Sequence, residues 1–238
     1  MKAFAWWIFA LVAVGCSSDD GMEQTVQFRM DVVGFAPGVG DVPLEGAEVC
    51  VRDTDNCETS DSTGFVTLTL PANSEIALTV SKEGYTPTLS PQLTANEDVD
   101  EYRTALIDEE TSSLLAGVLG TAYPLTGGVV AISALTEPLR EEDNGIPGIT
   151  YSTEGYTPYY LNEMSFPTFD LEATTAPDGV GGFVEMEAGV YEVTVGGDAL
   201  NCDVASAWPG RSDDTIRVPA EVGFFTQAFI ACDEPAAP

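Results

Sequence analysis

The sequence predicts an all-β protein built as two tandem antiparallel β-sandwiches, and three observations predict it. Apolar residues recur at every second position, turn-forming residues cut these runs at short intervals, and the pattern of the first half returns in the second. Over residues 25–33, Val26, Phe28, Met30 and Val32 fall on one face while Gln27, Arg29 and Asp31 fall on the other, as a half-buried strand requires. The alternation repeats at Ala47, Val49 and Val51, at Val66, Leu68 and Leu70, at Ile76, Leu78 and Val80, and at Tyr102, Thr104 and Leu106. Gly38 and Gly40, Asp53 to Asn56, Ser62 to Gly64 and Pro71 to Ser74 punctuate these runs. No stretch beyond the N-terminal leader shows sustained helical periodicity with start and stop signals.

A polar segment, Asp108 to Ser113, closes a first unit over residues 25–108, and a second unit follows over 114–235. In the second, Pro124, Leu125, Gly127, Gly128, Val130 and Ile132 align with Pro43, Leu44, Gly46, Ala47, Val49 and Val51. Further on, Phe183, Val184, Met186, Tyr191, Val193 and Val195 align with Phe65, Val66, Leu68, Ile76, Leu78 and Val80. Between residues 136 and 172 the alignment breaks at an insertion rich in aromatic residues, Gly and Pro. A last strand is expected from Val222 to Cys232, with Phe225, Gln227 and Phe229 on one face.

The first unit resembles the carboxypeptidase regulatory-like domain, a transthyretin-like (prealbumin-like) β-sandwich. The residues that carry the resemblance are Pro43, Leu44, Gly46, Ala47 and Val49, then Asp61, Gly64 and Phe65, then Gly84 and Tyr85. The second unit is a looser copy, with Asp178, Gly181, Gly182 and Phe183 in a turn one residue longer. The resemblance implies a module without catalysis of its own that serves stability, spacing or interaction.

At the N-terminus, Lys2 precedes an apolar run from Ala3 to Val14, then Gly15 and Cys16. The run is shorter than the roughly 20 residues a bilayer-spanning helix needs, and a small residue directly before the cysteine suits signal cleavage. Leu11 to Cys16 resembles the lipobox of bacterial lipoproteins, with Ala13 where the family usually has leucine. The resemblance implies a signal peptide over 1–15, lipidation of Cys16, a polar tether over 16–24 and a protein anchored by lipid to the cell outer membrane, periplasmic or surface-exposed. An ordinary secretory signal is the other reading, and both export the chain. Several acyl chains on one cysteine anchor durably, at about 0.8 kcal/mol per buried methylene.

Length and composition, 238 residues at 44% hydrophobic content, suffice for two modest cores. The charge balance is extreme, with 39 acidic residues against eight basic ones, and cleavage would remove Lys2 and leave Lys82 as the last lysine. Such a surface repels phosphate backbones and anionic headgroups, so nucleic acid is not expected as a partner and membrane contact must come from the lipid. The acids are scattered over turns and strand faces, which is how solvated surface charge is usually distributed.

With Cys16 acylated, Cys50, Cys57, Cys202 and Cys232 remain in an oxidising compartment. Of the three possible pairings, Cys50 with Cys57 and Cys202 with Cys232 keeps each bridge within one unit. Zinc is the rival use of four cysteines, but there is no C-x-x-C pair and no histidine.

The lack of histidine also removes Ser-His-Asp and Cys-His catalysis and histidine general bases. No G-x-S-x-G, P-loop or G-x-G-x-x-G pattern is present. A paired-carboxylate glycosidase needs no histidine, yet in so acidic a chain chance carboxylate pairs are expected. The chain therefore reads as no enzyme, and no cofactor is expected beyond a possible calcium ion at Asp53, Asp55 and Asp61, near Asn56. Their spacing is like the start of a calcium loop, without its glycine and terminal glutamate, and a solvated turn is the alternative. Two function readings follow. One is a structural or protein-interaction module of the cell envelope, recruiting an envelope protein through an exposed sheet edge. The other is a carbohydrate-binding surface lipoprotein, in which Tyr156, Tyr159, Tyr160 and Trp208 stack on a glycan, whereas packing within the sandwich would be their ordinary use.

Overall fold

The structure is a computed structural model that describes residues 24–36, 40–136, 145–176, 178–197 and 201–233; Cys16 and the leader lie outside the described residues. The alternating runs are strands. The first half contributes β1 (Thr25–Ala36), β2 (Gly40–Pro43), β3 (Glu48–Val51), β4 (Cys57–Thr59), β5 (Phe65–Pro71), β6 (Glu75–Ser81), β7 (Tyr85–Thr86), β8 (Thr88–Leu93) and β9 (Val99–Asp108). Then come a helix, α1 (Glu109–Leu119), and β10 (Gly128–Leu135), β11 (Ile149–Ser152), β12 (Tyr159–Leu161) and β13 (Pro167–Thr168). The chain ends with β14 (Val180–Met186), β15 (Gly189–Gly197), β16 (Cys202–Ser206), β17 (Trp208–Pro209), β18 (Thr215–Ala220) and β19 (Phe225–Cys232).

Three sheets make two sandwiches. One sheet runs β2-β1-β9-β7 with β5 also on β1, another runs β11-β15-β18-β17, and the third is continuous through both halves as β13-β12-β14-β10-β19-β8-β6-β3-β4, with β16 also on β19. The apolar faces pack into two clusters. One holds Met30, Leu68, Leu78 and Leu106, and the other holds Ile132, Tyr151, Phe183 and Val218. Burying each of these side chains contributes about 1.5–3 kcal/mol.

Most strands pair antiparallel, as short turns dictate, but β1–β9, β10–β19 and β19–β8 are parallel. Alternation marks a strand without giving its direction, so this was not visible in the pattern. The pairings also correct the internal alignment. β1 pairs antiparallel with β5 and parallel with β9, and β10 pairs in the same way with β14 and β19. β6 lies between β3 and β8, as β15 lies between β11 and β18. By topology the counterpart of β10 is therefore β1, not the segment around β3 to which Pro124–Ile132 was aligned. The counterpart of β3 is β11, inside the stretch 136–172 read as an insertion. The alignments of β5 with β14 and of β6 with β15 agree with the pairing.

A second correction concerns helix. α1 occupies the segment read as a polar boundary and the start of the next unit. Asp108 caps it, accepting from the Thr111 amide at 2.8 Å, and Gly120 ends it at φ 70°. The start and stop residues were present, but the core-directed periodicity was not. The helix buries the small residues Thr111, Ser112 and Ala116 and leaves Leu114 and Val118 exposed.

Candidate functional site

The two halves meet at β19. Its N-terminal end pairs with β8 through Phe225↔Thr88 and Thr226↔Leu89, and its C-terminal end pairs with β16. The face carrying Phe225, Gln227 and Phe229 turns toward the first half. Phe229 packs against the first core, edge-on to Tyr102 with ring centroids 6.4 Å apart. The Gln227 amide treats β9 as a neighbouring strand would: Oε1 accepts from the Ala105 N–H at 3.3 Å and from Thr104 Oγ1 at 2.9 Å, and Nε2 donates to the Ala105 carbonyl at 2.7 Å.

Beside it lies a buried hydroxyl and amide network. Ser90 Oγ and Tyr102 OH are 2.6 Å apart, Tyr102 OH and Ser206 Oγ are 3.0 Å apart, and Ser206 Oγ donates to the Pro91 carbonyl at 2.8 Å. Gln92 Nε2 donates to both Ser90 and Ser206 at 2.9 Å. One proton ordering satisfies every hydroxyl: Ser90 donates to Tyr102, Tyr102 to Ser206, and Ser206 to the backbone. Burial raises the Tyr102 pKa above its ordinary 10.0, so the ring stays a neutral donor.

Trp208 belongs to this joint. Its indole N–H donates to the Ile76 carbonyl at 2.9 Å and to the Gln92 carbonyl at 3.2 Å, and Arg217 lies over its ring and pairs with Glu75. Arg52 reaches Glu221 at 3.0 Å across the same boundary.

The proposed aromatic platform does not form. Tyr159 and Tyr160 are 3% and 1% exposed, which leaves no ring face for a sugar. The Tyr160 ring covers the Cα of Gly181, where a Cβ would approach it to 2.5 Å, and stacks on Tyr151 at 6.2 Å. Tyr160 OH accepts from the Tyr151 N–H at 2.9 Å, and burial pushes the Tyr159 and Tyr160 hydroxyls up. Tyr156 is half-buried, edge-on to Tyr191, and its hydroxyl accepts from the Glu187 N–H at 3.2 Å. These rings pack β11 and β12 onto β14 and β15.

The calcium candidates are likewise dispersed. Asp53 and Asp55 are exposed in the β3–β4 turn, whereas Asp61 lies in the β4–β5 turn. There Asp61 Oδ1 accepts from Thr63 Oγ1 at 2.6 Å, the Thr63 N–H at 2.8 Å and the Phe65 N–H at 3.2 Å, which holds its pKa below the ordinary 3.8. Among the described residues, no three Asp, Glu, His or Cys side chains gather as metal ligands would. Both expected disulfides are present, Cys50–Cys57 across β3 and β4 and Cys202–Cys232 across β16 and β19.

On three strands, side chains take backbone groups that a partner strand would need. Gln227 occupies β9 at Ala105. On β11, Thr174 accepts the Ile149 N–H through Oγ1 at 2.9 Å and donates its own N–H to the Ile149 carbonyl at 2.8 Å, and Tyr160 takes the Tyr151 N–H. On β5, Asp61 and Asn56 serve the outward groups of Phe65 and Thr69. The expectation of recruitment through an open edge fails at these three strands.

One concave surface was not anticipated. A groove of about 590 Å³ runs between α1 and the β12–β13 hairpin, floored by Val129, Ala131 and Val180. Its signal in the sequence was the pair of apolar clusters at Leu114, Leu115 and at Met164, Phe166, which fit no core-facing alternation.

Among the described residues, no helix is long and apolar enough to cross a membrane. The fold and joint define a class: a fused double β-sandwich with a continuous central sheet. No family model matches the chain, and no curated protein matches it. Among solved structures, the chain is similar to the Bacillus anthracis TIE protein at 11% identity and a TM-score of 0.28, over 89% of this chain and 34% of that one, so it spans about a third of that protein's length. It is also similar to GBS52, the minor pilin of Streptococcus agalactiae, at 10% identity and a TM-score of 0.26, over 90% and 98%. The shaft pilin SpaA from Lactobacillus rhamnosus GG gives 11% identity and a TM-score of 0.26, over 90% and 100%.

Proposed function

We propose that this chain is a non-catalytic lipoprotein of the cell envelope, anchored through Cys16 at the outer membrane. In this reading its sandwiches, domains over 25–108 and 114–235 of carboxypeptidase regulatory-like type, act together as one rigid structural or protein-interaction block. The observation that carries the reading is the joint, where Gln227, Ser206, Tyr102 and Trp208 have their polar atoms satisfied across the halves and a sheet continues through β19 and β8. Buried networks with every member paired fix one relative arrangement, which suits a spacer or docking block better than a hinge. The lipobox supplies the anchor, and the resemblance of the first unit supplies the module type. The glycan reading has no comparable support, since Tyr159 and Tyr160 are core residues.

Fractionation of cells expressing the wild type and Cys16→Ser tests the anchor. The wild type is expected in the membrane fraction, beginning at a diacylated or triacylated Cys16 by mass spectrometry, and the variant without acyl chains and with its leader uncut. A wild-type residue 16 without acyl chains overturns the proposal. Crosslinking in intact envelopes, followed by mass spectrometry, then reports which envelope protein the block contacts.

A further inference from the structure

Four of the ten exposed large apolar side chains among the described residues, Phe35, Leu114, Met164 and Phe166, line the single groove between α1 and the β12–β13 hairpin. Scattered exposed apolar residues need no explanation, but their convergence on a concavity does. The volume, about 590 Å³, lies in the range of small-molecule sites. The helix wall combines the leucines Leu114, Leu115 and Leu119 with the small buried residues Thr111, Ser112 and Ala116.

The polar content of the groove is equally selective. Among the described residues the only charged side chain in its lining is Asp178, whose Oδ2 accepts from Ser165 Oγ at 2.5 Å, and no described Lys or Arg lines it. This carboxylate sits beside Met164 and Phe166 on a chain of net charge −31. An anionic amphiphile would meet repulsion at the rim and from the whole field, and a cationic head would meet attraction from both.

We propose that this groove binds a single-tailed amphiphile with a cationic head, its tail between α1 and the hairpin over Val129 and Ala131 and its head at Asp178. The proposal is independent of the anchoring reading above, because none of the groove depends on Cys16.

The probe is dodecyltrimethylammonium below its micellar concentration, titrated calorimetrically into the chain from residue 17 onward, which keeps every described strand and both disulfides. Saturable binding of one molecule per chain is expected, with affinity falling about fourfold for each methylene removed from the tail. Dodecyl sulfate should bind more weakly than the cation. Asp178→Asn, which retains an acceptor for Ser165, should weaken the cationic probe about fivefold and leave an uncharged dodecyl ethoxylate unchanged. Glu58→Gln, at an exposed site on β4, should change neither. Ala131→Phe, which fills the floor, should abolish both, and Leu115→Gln serves if that variant melts early. Non-saturable binding, equal weakening by Glu58→Gln and Asp178→Asn, dodecyl sulfate binding as tightly as the cation, or undiminished affinity in the floor or wall variants would each overturn the proposal.

Discussion

Tyr151 and Tyr160 stack in the second core, yet their hydroxyls differ. Tyr160 OH serves a backbone amide, while Tyr151 OH is buried with no partner among the described residues. Removing an unsatisfied hydroxyl while keeping its ring relieves a desolvation cost, and removing a satisfied one strands its partner. Tyr151→Phe should therefore raise unfolding stability by about 1 kcal/mol, and Tyr160→Phe should lower it by about 1–3 kcal/mol; urea denaturation of the two variants reads both signs. Asp61 carries an acid-side prediction. Its folded pKa lies below the ordinary 3.8 because of the Thr63 and Phe65 hydrogen bonds. Its contribution is thus present above the unfolded value and lost as pH falls through the folded one. Stability of the wild type should show this loss below about pH 4, and Asp61→Asn should flatten that part of the profile. Burial raises Tyr102, Tyr151, Tyr159 and Tyr160, and the hydrogen bond with Tyr156 leads the causes that push Tyr191 up to about 12. Their contribution is full below pH 10 and lost as pH rises through the raised folded values. Spectrophotometric titration should show the fully buried Tyr102, Tyr151 and Tyr159 ionising only with alkaline unfolding.

At the scale of elements, the two disulfides span very different stretches, seven and 30 residues of sequence separation. On the chain-entropy account the longer loop stabilises by about 3.5 kcal/mol and the shorter by about 2.5 kcal/mol. Replacing Cys202 and Cys232 together by Ser should therefore lower the melting temperature more than replacing Cys50 and Cys57, as calorimetry would measure. The strands were legible because each half-buried one alternates: Val26, Phe28, Met30 and Val32 are all buried while Gln27 and Arg29 are exposed. β10 and β8 were harder, being buried on both faces. Helix α1 escaped because its buried side consists of Thr, Ser and Ala, which carry no hydrophobic period. For the aromatic residues around β12 the sequence left two uses open, a glycan platform and packing within the sandwich, and the rings are packed. Composition tells that rings are present, but only the pairing of Tyr159 and Tyr160 with Gly182 and Gly181 shows that glycines make room for them inside.

Across the whole molecule, the joint joins two cores that each bury their own faces. Gln227→Leu would leave the Ala105 N–H and carbonyl without their side-chain partner, at a cost of about 1–3 kcal/mol, while leaving both cores intact. Differential scanning calorimetry of the wild type should give one transition, and the variant should show the halves separating into two. The joint was illegible in advance because Ser90, Gln92, Ser206 and Gln227 are ordinary polar residues until the chain brings together partners more than a hundred positions apart.

The position of β1 has a mechanical consequence. This strand leads directly from the N-terminal side of the chain, and it lies between β5, antiparallel, and β9, parallel. Inter-strand hydrogen bonds run across the strand axis, so tension entering at residue 24 along β1 loads both ladders in shear at once. Peeling one bond at a time would require an edge strand. A load arriving from this end therefore meets the molecule along its stiffest direction.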